Sequence, residues 1–161
     1  MTESDGVREL LRHAVATLAY RGGKAVRGAP AGFSAFRPQE GTRTPGDLLA
    51  HIGDLLDWSV SLLGGERAWK ATPPAAWDSD VQRFFRGLAE LDRVLTSSDF
   101  ASCPAEKLFQ GPVADALTHV GQIVMLRRLA GSPMRSESYF RADIAAGRIG
   151  PEQSPPRLEF D

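Results

Sequence analysis

Residues 114–133 read ADALTHVGQIVMLRRLAGSP, and this stretch decides the fold because it predicts an amphipathic helix with polar groups on its apolar face. At about 100° per residue, Asp115, His119 and Gln122 share one narrow sector with Leu126. Apolar side chains flank that sector, namely Ala116, Ile123, Met125, Leu129 and Ala130. An acid, an imidazole and an amide are therefore expected to face the core.

A divalent metal ion would satisfy these polar groups, since a buried carboxylate or imidazole without a partner is costly. Asp115 and His119 lie four residues apart, so their side chains stand one turn apart on the same side of the helix. His51, far upstream, falls at the edge of a second helical apolar pattern. Two imidazoles and one carboxylate from two helices suit an open metal site. The predicted ligands are His51, Asp115 and His119.

Each predicted ligand also has a simpler interpretation. A histidine on an apolar helix face is more often a hydrogen-bonded core residue than a ligand. Asp115 lies one turn after Gly111-Pro112, so its carboxylate could instead bind the free amides at a helix start. In that case the metal would lack its third ligand.

Other polar and aromatic residues near the predicted ligands are expected to support them. Gln122 is predicted to orient His119, because ligating imidazoles usually donate their second N–H to a partner. Trp58 is the tryptophan expected to line a pocket near His51, whereas Trp69 is expected to be an anchor elsewhere. Asp47 and Asp54 flank His51 and could also orient it, although a helix-start charge for Asp47 and a solvated surface position for Asp54 are favoured.

Helical periodicity predicts four amphipathic helices, which cover residues 4–20, 44–63, 77–96 and 113–130 approximately. The first is expected to stop at Gly22-Gly23. The second has the clearest start, because Thr44 can cap it and Pro45 suits its first position. Asp47 then completes a capping box. One further short helix is expected at residues 138–146, and no strands are expected.

The predicted fold class is all-α, a four-helix bundle with a long crossover connection from Lys24 to Arg43. Phe33 and Phe36 are expected to pin that connection to the bundle. The chain is interpreted as one domain, 1–161, with a helical core at about 4–133 and a C-terminal extension at 134–161. An up-down-down-up arrangement is expected to make the second and fourth helices parallel neighbours, which would bring the early turns that carry the ligands together.

Composition limits the classes of function. The net charge is −1, with 19 basic and 20 acidic residues, so nucleic-acid binding is not expected. Cys103 is the one cysteine, which excludes an internal disulfide and a cysteine-based zinc site. There is no secretory leader pattern and no apolar run of membrane-spanning length, so a cytoplasmic, soluble protein is expected.

A second apolar stripe on the last helix predicts a homodimer. Its members are Val113, Leu117, Val120 and Val124, on the side from which Arg127 and Arg128 are expected to project. An apolar stripe facing away from the predicted metal site indicates either a neighbouring helix or a partner subunit.

Two segments carry a resemblance to the DinB/YfiT-like proteins, a family of metal-binding four-helix bundles. Residues 43–58, RTPGDLLAHIGDLLDW, resemble the family's second helix, where a histidine is followed by an acidic-aromatic pair. Residues 115–133 are similar to its last helix, with the pattern His-x-Gly-Gln at residues 119–122. The likeness covers roughly residues 4–133.

The resemblance implies a metal site and a class of chemistry. The family typically presents three histidines to nickel or zinc, and here Asp115 stands where the first histidine of the last-helix pair is expected. A carboxylate also suits iron or manganese. Members with an assigned activity resemble S-transferases and isomerases that use a low-molecular-weight thiol, or metal-dependent hydrolases, and they act on a small-molecule substrate. The alternative is a non-catalytic, stress-related bundle that binds metal or a small ligand.

Overall fold

Four long helices make up most of the computed structural model, which describes residues 3–160. They are α1 (Glu3–Val26), α2 (Pro45–Leu63), α3 (Trp77–Leu95) and α5 (Ala114–Leu129). A short helix, α4 (Ala105–Leu108), precedes α5, and the two-residue strands β1 (Ser136–Glu137) and β2 (Glu159–Phe160) pair antiparallel. The all-α prediction is confirmed, and the expectation of no strands is wrong only for this short pair.

The core lies between the four long helices. α1 and α2 each pack against both α3 and α5. The largest fully buried side chains are Val15, Leu18, Leu49, Ile52, Leu56, Phe84, Leu88, Leu91, Leu95, Leu108, Val113 and Ile123. All four apolar stripes thus meet in one cluster, which is the arrangement that buries them together.

The start of α2 forms as the sequence predicts. The Thr44 hydroxyl accepts a hydrogen bond from the Asp47 amide at 3.1 Å, and the Asp47 carboxylate accepts one from the Thr44 amide at 2.9 Å. Pro45 occupies the first helical turn, and the helix ends at Leu63, directly before Gly64-Gly65. This reciprocal capping box fixes the register of the helix that carries His51.

Gly22-Gly23 does not stop α1, contrary to the prediction. The helix continues to Val26, and both glycines are buried inside it. A Cβ on Gly22 would lie 2.5 Å from the ring of Phe84, so the glycine allows α3 to approach closely. The pair is therefore a packing surface for an aromatic side chain.

The crossover after α1 is pinned by aromatic packing, as expected. Phe33 is buried in a short 3-10 turn, Phe33–Ala35, and its ring meets that of Trp77 edge-to-face at 5.5 Å. Phe36 is partly buried against the core.

α5 begins after Gly111-Pro112, as the sequence predicts, and a kinked helical segment precedes it. α4 leads into a π-helical segment, Phe109–Val113, which contains Pro112 and a non-helical Gly111 with ψ −105°. The wide turn accommodates Pro112, which has no amide hydrogen to donate. Because the chain kinks at Gly111, Asp115 lies in the first turn of α5 and His119 in the second.

The solvent-facing side of α5 differs from the prediction. Met125 and Leu129, expected in the core, are 53% and 57% exposed. Arg127, expected to project outward, is buried at 5% exposure and donates hydrogen bonds to the carbonyls of Ala25 and Arg27 at the end of α1. Such a cation satisfies carbonyls that have no partner within their own helix. Burial lowers the pKa of Arg127 from its ordinary value.

The C-terminal extension packs on α1 through a buried carboxylate. Glu137 accepts hydrogen bonds from the Tyr20 hydroxyl at 2.5 Å and from the Lys24 ammonium at 2.7 Å. Lys24 also pairs with Glu159 at 2.9 Å. The short helix expected at residues 138–146 is wrong except for one 3-10 turn, Tyr139–Arg141.

The second apolar stripe of α5 is covered within the chain. Val113 and Val120 are buried, and Leu117 and Val124 pack against the core. The apolar stripe on which the homodimer prediction was based is therefore not a free surface. The homodimer stays a prediction. Within residues 3–160, no helix has the length and apolar character needed to cross a membrane.

Candidate metal centre

The structure brings together the three residues that the sequence predicts as ligands. His51 comes from the second turn of α2, while Asp115 and His119 stand one turn apart on α5. The Asp115 carboxylate lies 3.6 Å from His51 Nε2 and 3.3 Å from His119 Nε2. The two imidazole ring centres are 4.9 Å apart.

His119 carries the strongest sign of a missing partner. Its Nδ1 is 2.7 Å from the side-chain oxygen of Gln122, so Nδ1 donates its hydrogen there, as predicted. In the neutral ring, Nε2 then presents a lone pair. In the described part of the chain, this Nε2 is the one buried side-chain nitrogen or oxygen without a hydrogen-bond partner. A buried orphaned acceptor is unfavourable unless a proton or a cation meets it.

The donor atoms fit a divalent metal ion. One ligand atom from each of His51, Asp115 and His119 lies within 4.8 Å of the other two. Two ligands at 2.0–2.2 Å from a tetrahedral zinc are about 3.4 Å apart. The two His–Asp distances are close to this value, and the Nε2 of His119 makes no hydrogen bond to the carboxylate. The arrangement therefore suits a shared cation.

Asp115 does not cap a helix start. In the described part of the chain no backbone amide donates a hydrogen bond to the Asp115 carboxylate, and no side chain caps the first turn of α5. Its carboxylate contacts both histidines instead. About 47% of this side chain is exposed, which leaves one side of the cluster open to solvent.

The surroundings of His51 favour its neutral form. Burial lowers the pKa of His51 most strongly, and the nearby charges of His119 and Arg43 lower it further. Asp115 acts in the opposite direction. An imidazole must be unprotonated to bind a metal, so a lowered pKa supports this role.

Trp69, which the sequence analysis assigned to an anchor elsewhere, contacts the candidate site. Its ring meets His51 edge-to-face, with ring centres 5.6 Å apart. Trp58 packs on Trp69 at 5.6 Å and supports it from behind, so the prediction that Trp58 lines the pocket holds only indirectly. Trp69 lies in the irregular connection 64–76, where helical periodicity gives no indication of direction.

Asp54 fixes that connection and is not a solvated residue, contrary to the prediction. It is 3% exposed, accepts a hydrogen bond from the Thr72 amide at 3.0 Å, and pairs with Arg83 at 2.7 Å. Because Thr72 lies three residues after Trp69, this buried carboxylate anchors the segment that covers His51.

The centre can bind a cation through two neutral imidazoles and one carboxylate, with an open side for a further ligand. No model of a known family, no curated protein and no solved structure matches the chain.

Proposed function

We propose that the chain is a DinB-like protein that binds a divalent metal ion through His51, Asp115 and His119. The observation that carries the proposal is the buried, unpartnered Nε2 of His119 beside two other ligand atoms. Gln122 would orient His119, and Trp69 would cover His51. Zinc or nickel suits the donor set best, and iron or manganese is also compatible.

The proposed activity is that of a metal-dependent enzyme that acts on a small molecule. A metal at such a centre lowers the pKa of a bound water or thiol. Asp115 and His51 are partly exposed, which leaves access for a substrate from solvent. Transfer or isomerisation with a low-molecular-weight thiol is placed ahead of hydrolysis on the resemblance alone.

The proposed topology is up-down-down-up, and contacts along the helices support it. α2 and α3 run in the same direction, because Arg83 donates to the Ala50 carbonyl and Gly87, one turn later, lies against Leu56. α1 and α3 run in opposite directions, with Arg12 bonded to Asp92 and Gly22 against Phe84.

The contacts of α2 with α5 favour opposite directions for these two helices. His51 contacts Asp115, whereas Leu48, one turn earlier, lines a cleft with Leu126. This argues against the parallel pair expected from the sequence. In an up-down-down-up order the second and fourth helices run in opposite directions, so this topology does not supply the parallel pair that the sequence analysis expected.

The second candidate function is a non-catalytic bundle in which the cluster pairs internally. The distances of Asp115 from His51 and His119 would suit a protonated imidazole beside a carboxylate as well as they suit a metal. In that case protons would take the place of the cation, and the site would be structural.

Metal analysis of protein purified without a nickel column distinguishes these functions. We expect about one divalent ion per chain in the wild type and none in His119→Ala, which should remain helical because the core is mostly apolar. His13→Ala is the matched control, since His13 is exposed on α1. A wild type that binds no zinc, nickel, iron or manganese when these are added would contradict the proposal. A screen of thiol cofactors then tests the enzyme class.

A further inference from the structure

An apolar cleft lies beside the candidate metal centre, between the start of α2 and the C-terminal half of α5. Its volume is about 360 Å³, which is within the range of small-molecule sites. Apolar side chains form much of its lining, namely Pro38, Leu48, Met125 and Leu126. Met125 is 53% exposed in this cleft, and a flexible thioether adapts to apolar ligands of varied shape.

Arg43 is the cationic residue that lines the cleft. Its guanidinium is exposed and has no hydrogen bond or ion pair with any described residue. Arg37, by contrast, lies 3.9 Å from Asp47 and donates to the Thr42 carbonyl. Arg43 acts on Asp47 through its charge without forming an ion pair, so its guanidinium N–H groups are available to an anion from solvent.

The wall that carries Arg43 is held in place by local contacts. Thr42 donates from its amide and its hydroxyl to the carbonyl of Gln39, at 3.2 and 2.7 Å, which closes a turn. Thr44 then begins the capping box of α2. These contacts fix the backbone from which Arg43 projects, so the apolar surface and the attachment point of the cation are preformed.

Gln122 connects the cleft to the metal centre, because it lines the cleft and also accepts the hydrogen bond from His119. A ligand held in the cleft would therefore lie next to the proposed metal ligands.

We propose that this cleft binds a small organic acid, with its carboxylate on Arg43 and its apolar part on Leu48, Met125 and Leu126. This inference rests on the proposed function, because it names the substrate class of the same centre. A guanidinium prefers a carboxylate that can accept two of its N–H groups. A neutral apolar ligand would leave Arg43 unpaired, and a strongly polar anion would not use the apolar surface.

Nuclear magnetic resonance of the methionine methyl groups tests the proposal with octanoate as the probe. The protein is labelled with ¹³C at its methionine methyl groups, and Met125→Leu assigns the signal. We expect octanoate to shift the Met125 signal in a saturable way and octan-1-ol to do so at least tenfold more weakly. Met134, which lines a different pocket and packs partly against the core, is the internal control and should not move.

Arg43→Gln should weaken octanoate binding about tenfold or more, because the substitution removes the positive charge. Glutamine is chosen because it keeps a polar side chain at this position. Arg86→Gln is the matched control, since Arg86 is exposed on α3 and outside the cleft. A Met125 signal that does not move would overturn the inference. Equal binding of acid and alcohol, or an unchanged affinity in Arg43→Gln, would overturn it as well.

Metal content measured on the same samples separates this inference from the proposed function. Arg43→Gln should keep the metal content of the wild type, since Arg43 is not a ligand. His119→Ala should lose the metal and still bind octanoate. Absence of metal from every sample would overturn the metal-binding function. The binding of an organic acid in the cleft would then be decided by the Met125 signal alone.

Discussion

At the scale of single residues, the buried side-chain polar atoms of the described residues have hydrogen-bond partners, except Nε2 of His119. Asp47 accepts the Thr44 amide, Asp54 accepts the Thr72 amide, and Arg127 donates to the carbonyls at the end of α1. This matching is what makes the free Nε2 of His119 informative. A protein that satisfies its other buried groups leaves one open where a ligand is expected.

Asp47→Asn tests the electrostatic part of the capping box. The Thr44 amide is the main cause that lowers the pKa of Asp47, and Arg37 and Arg43 add to it. Asp47 therefore binds a proton more readily in the unfolded chain than in the folded one. The ionised carboxylate stabilises the fold above the ordinary pKa, about 4, and this stabilisation is lost as the pH falls further. The free energy of unfolding of the wild type should exceed that of Asp47→Asn by about 0.5 kcal/mol at pH 7. This difference should shrink below pH ~4.

Urea denaturation of both proteins at pH 7, 5 and 3 measures this difference. Because about 36% of the Asp47 side chain is exposed, salt should reduce the difference at pH 7. A gap that is the same at all three pH values would indicate that the charge of Asp47 plays no part in the stability of α2.

At the scale of elements, helix packing depends on where small residues face large ones. Gly22 on α1 receives the ring of Phe84 from α3, while its neighbour Gly23 would make only an ordinary contact of 3.4 Å with Phe85 through an added Cβ. Two adjacent glycines in one helix thus have different tolerance for a methyl group.

Gly22→Ala and Gly23→Ala are expected to change stability in different ways. Both gain helix propensity, about 1 kcal/mol, because alanine replaces glycine inside a helix. Gly22→Ala also forces the buried Phe84 to move, and overpacking of this kind costs about 1–3 kcal/mol. Thermal denaturation should therefore find Gly22→Ala less stable than Gly23→Ala by about that amount. Equal stability would show that the Phe84 ring relaxes freely.

Elements and ligands that follow a helical period could be predicted from the sequence, and those that depend on distant contacts could not. His51, Asp115 and His119 were found because their spacing places them on apolar helix faces. Trp69 was missed because its position depends on the bond from Asp54 to Thr72, eighteen residues further along the chain.

The end of α1 and the side of α5 were mispredicted for a related reason. Glycine normally breaks a helix, but the fit of Gly22 to Phe84 overrides that local preference. The sequence pattern predicts Arg127 on the surface. In the structure it is buried because it donates to carbonyls of α1, about a hundred residues earlier in the chain. Tertiary contacts decided both cases.

At the scale of the whole molecule, the C-terminal extension is tied to the bundle by one buried group. The Glu137 side chain is fully buried, and it joins Tyr20 and Lys24 of α1 to β1. The Lys24–Glu159 pair adds the second strand. The extension therefore stabilises α1 through these contacts.

Glu137→Ala should lower the free energy of unfolding by about 3 kcal/mol, because removing one partner of a buried ion pair leaves the other poorly satisfied. The retained contact of Lys24 with Glu159 keeps the loss at the lower end of the range for such pairs. Urea denaturation measures the change. Metal content should stay at the wild-type value, and its loss would show that the extension also supports the metal centre.

The buried guanidinium of Arg127 sets an order for events during biosynthesis. Ala25 and Arg27 are translated 102 and 100 residues before the side chain that satisfies their carbonyls. The last turn of α1, the helix that is translated first, therefore gains its hydrogen-bond partner only after most of the chain has been translated. Ribosome-bound chains that expose only residues before Arg127 should be cut by trypsin at Arg27, whereas chains that expose the whole sequence should resist cleavage there.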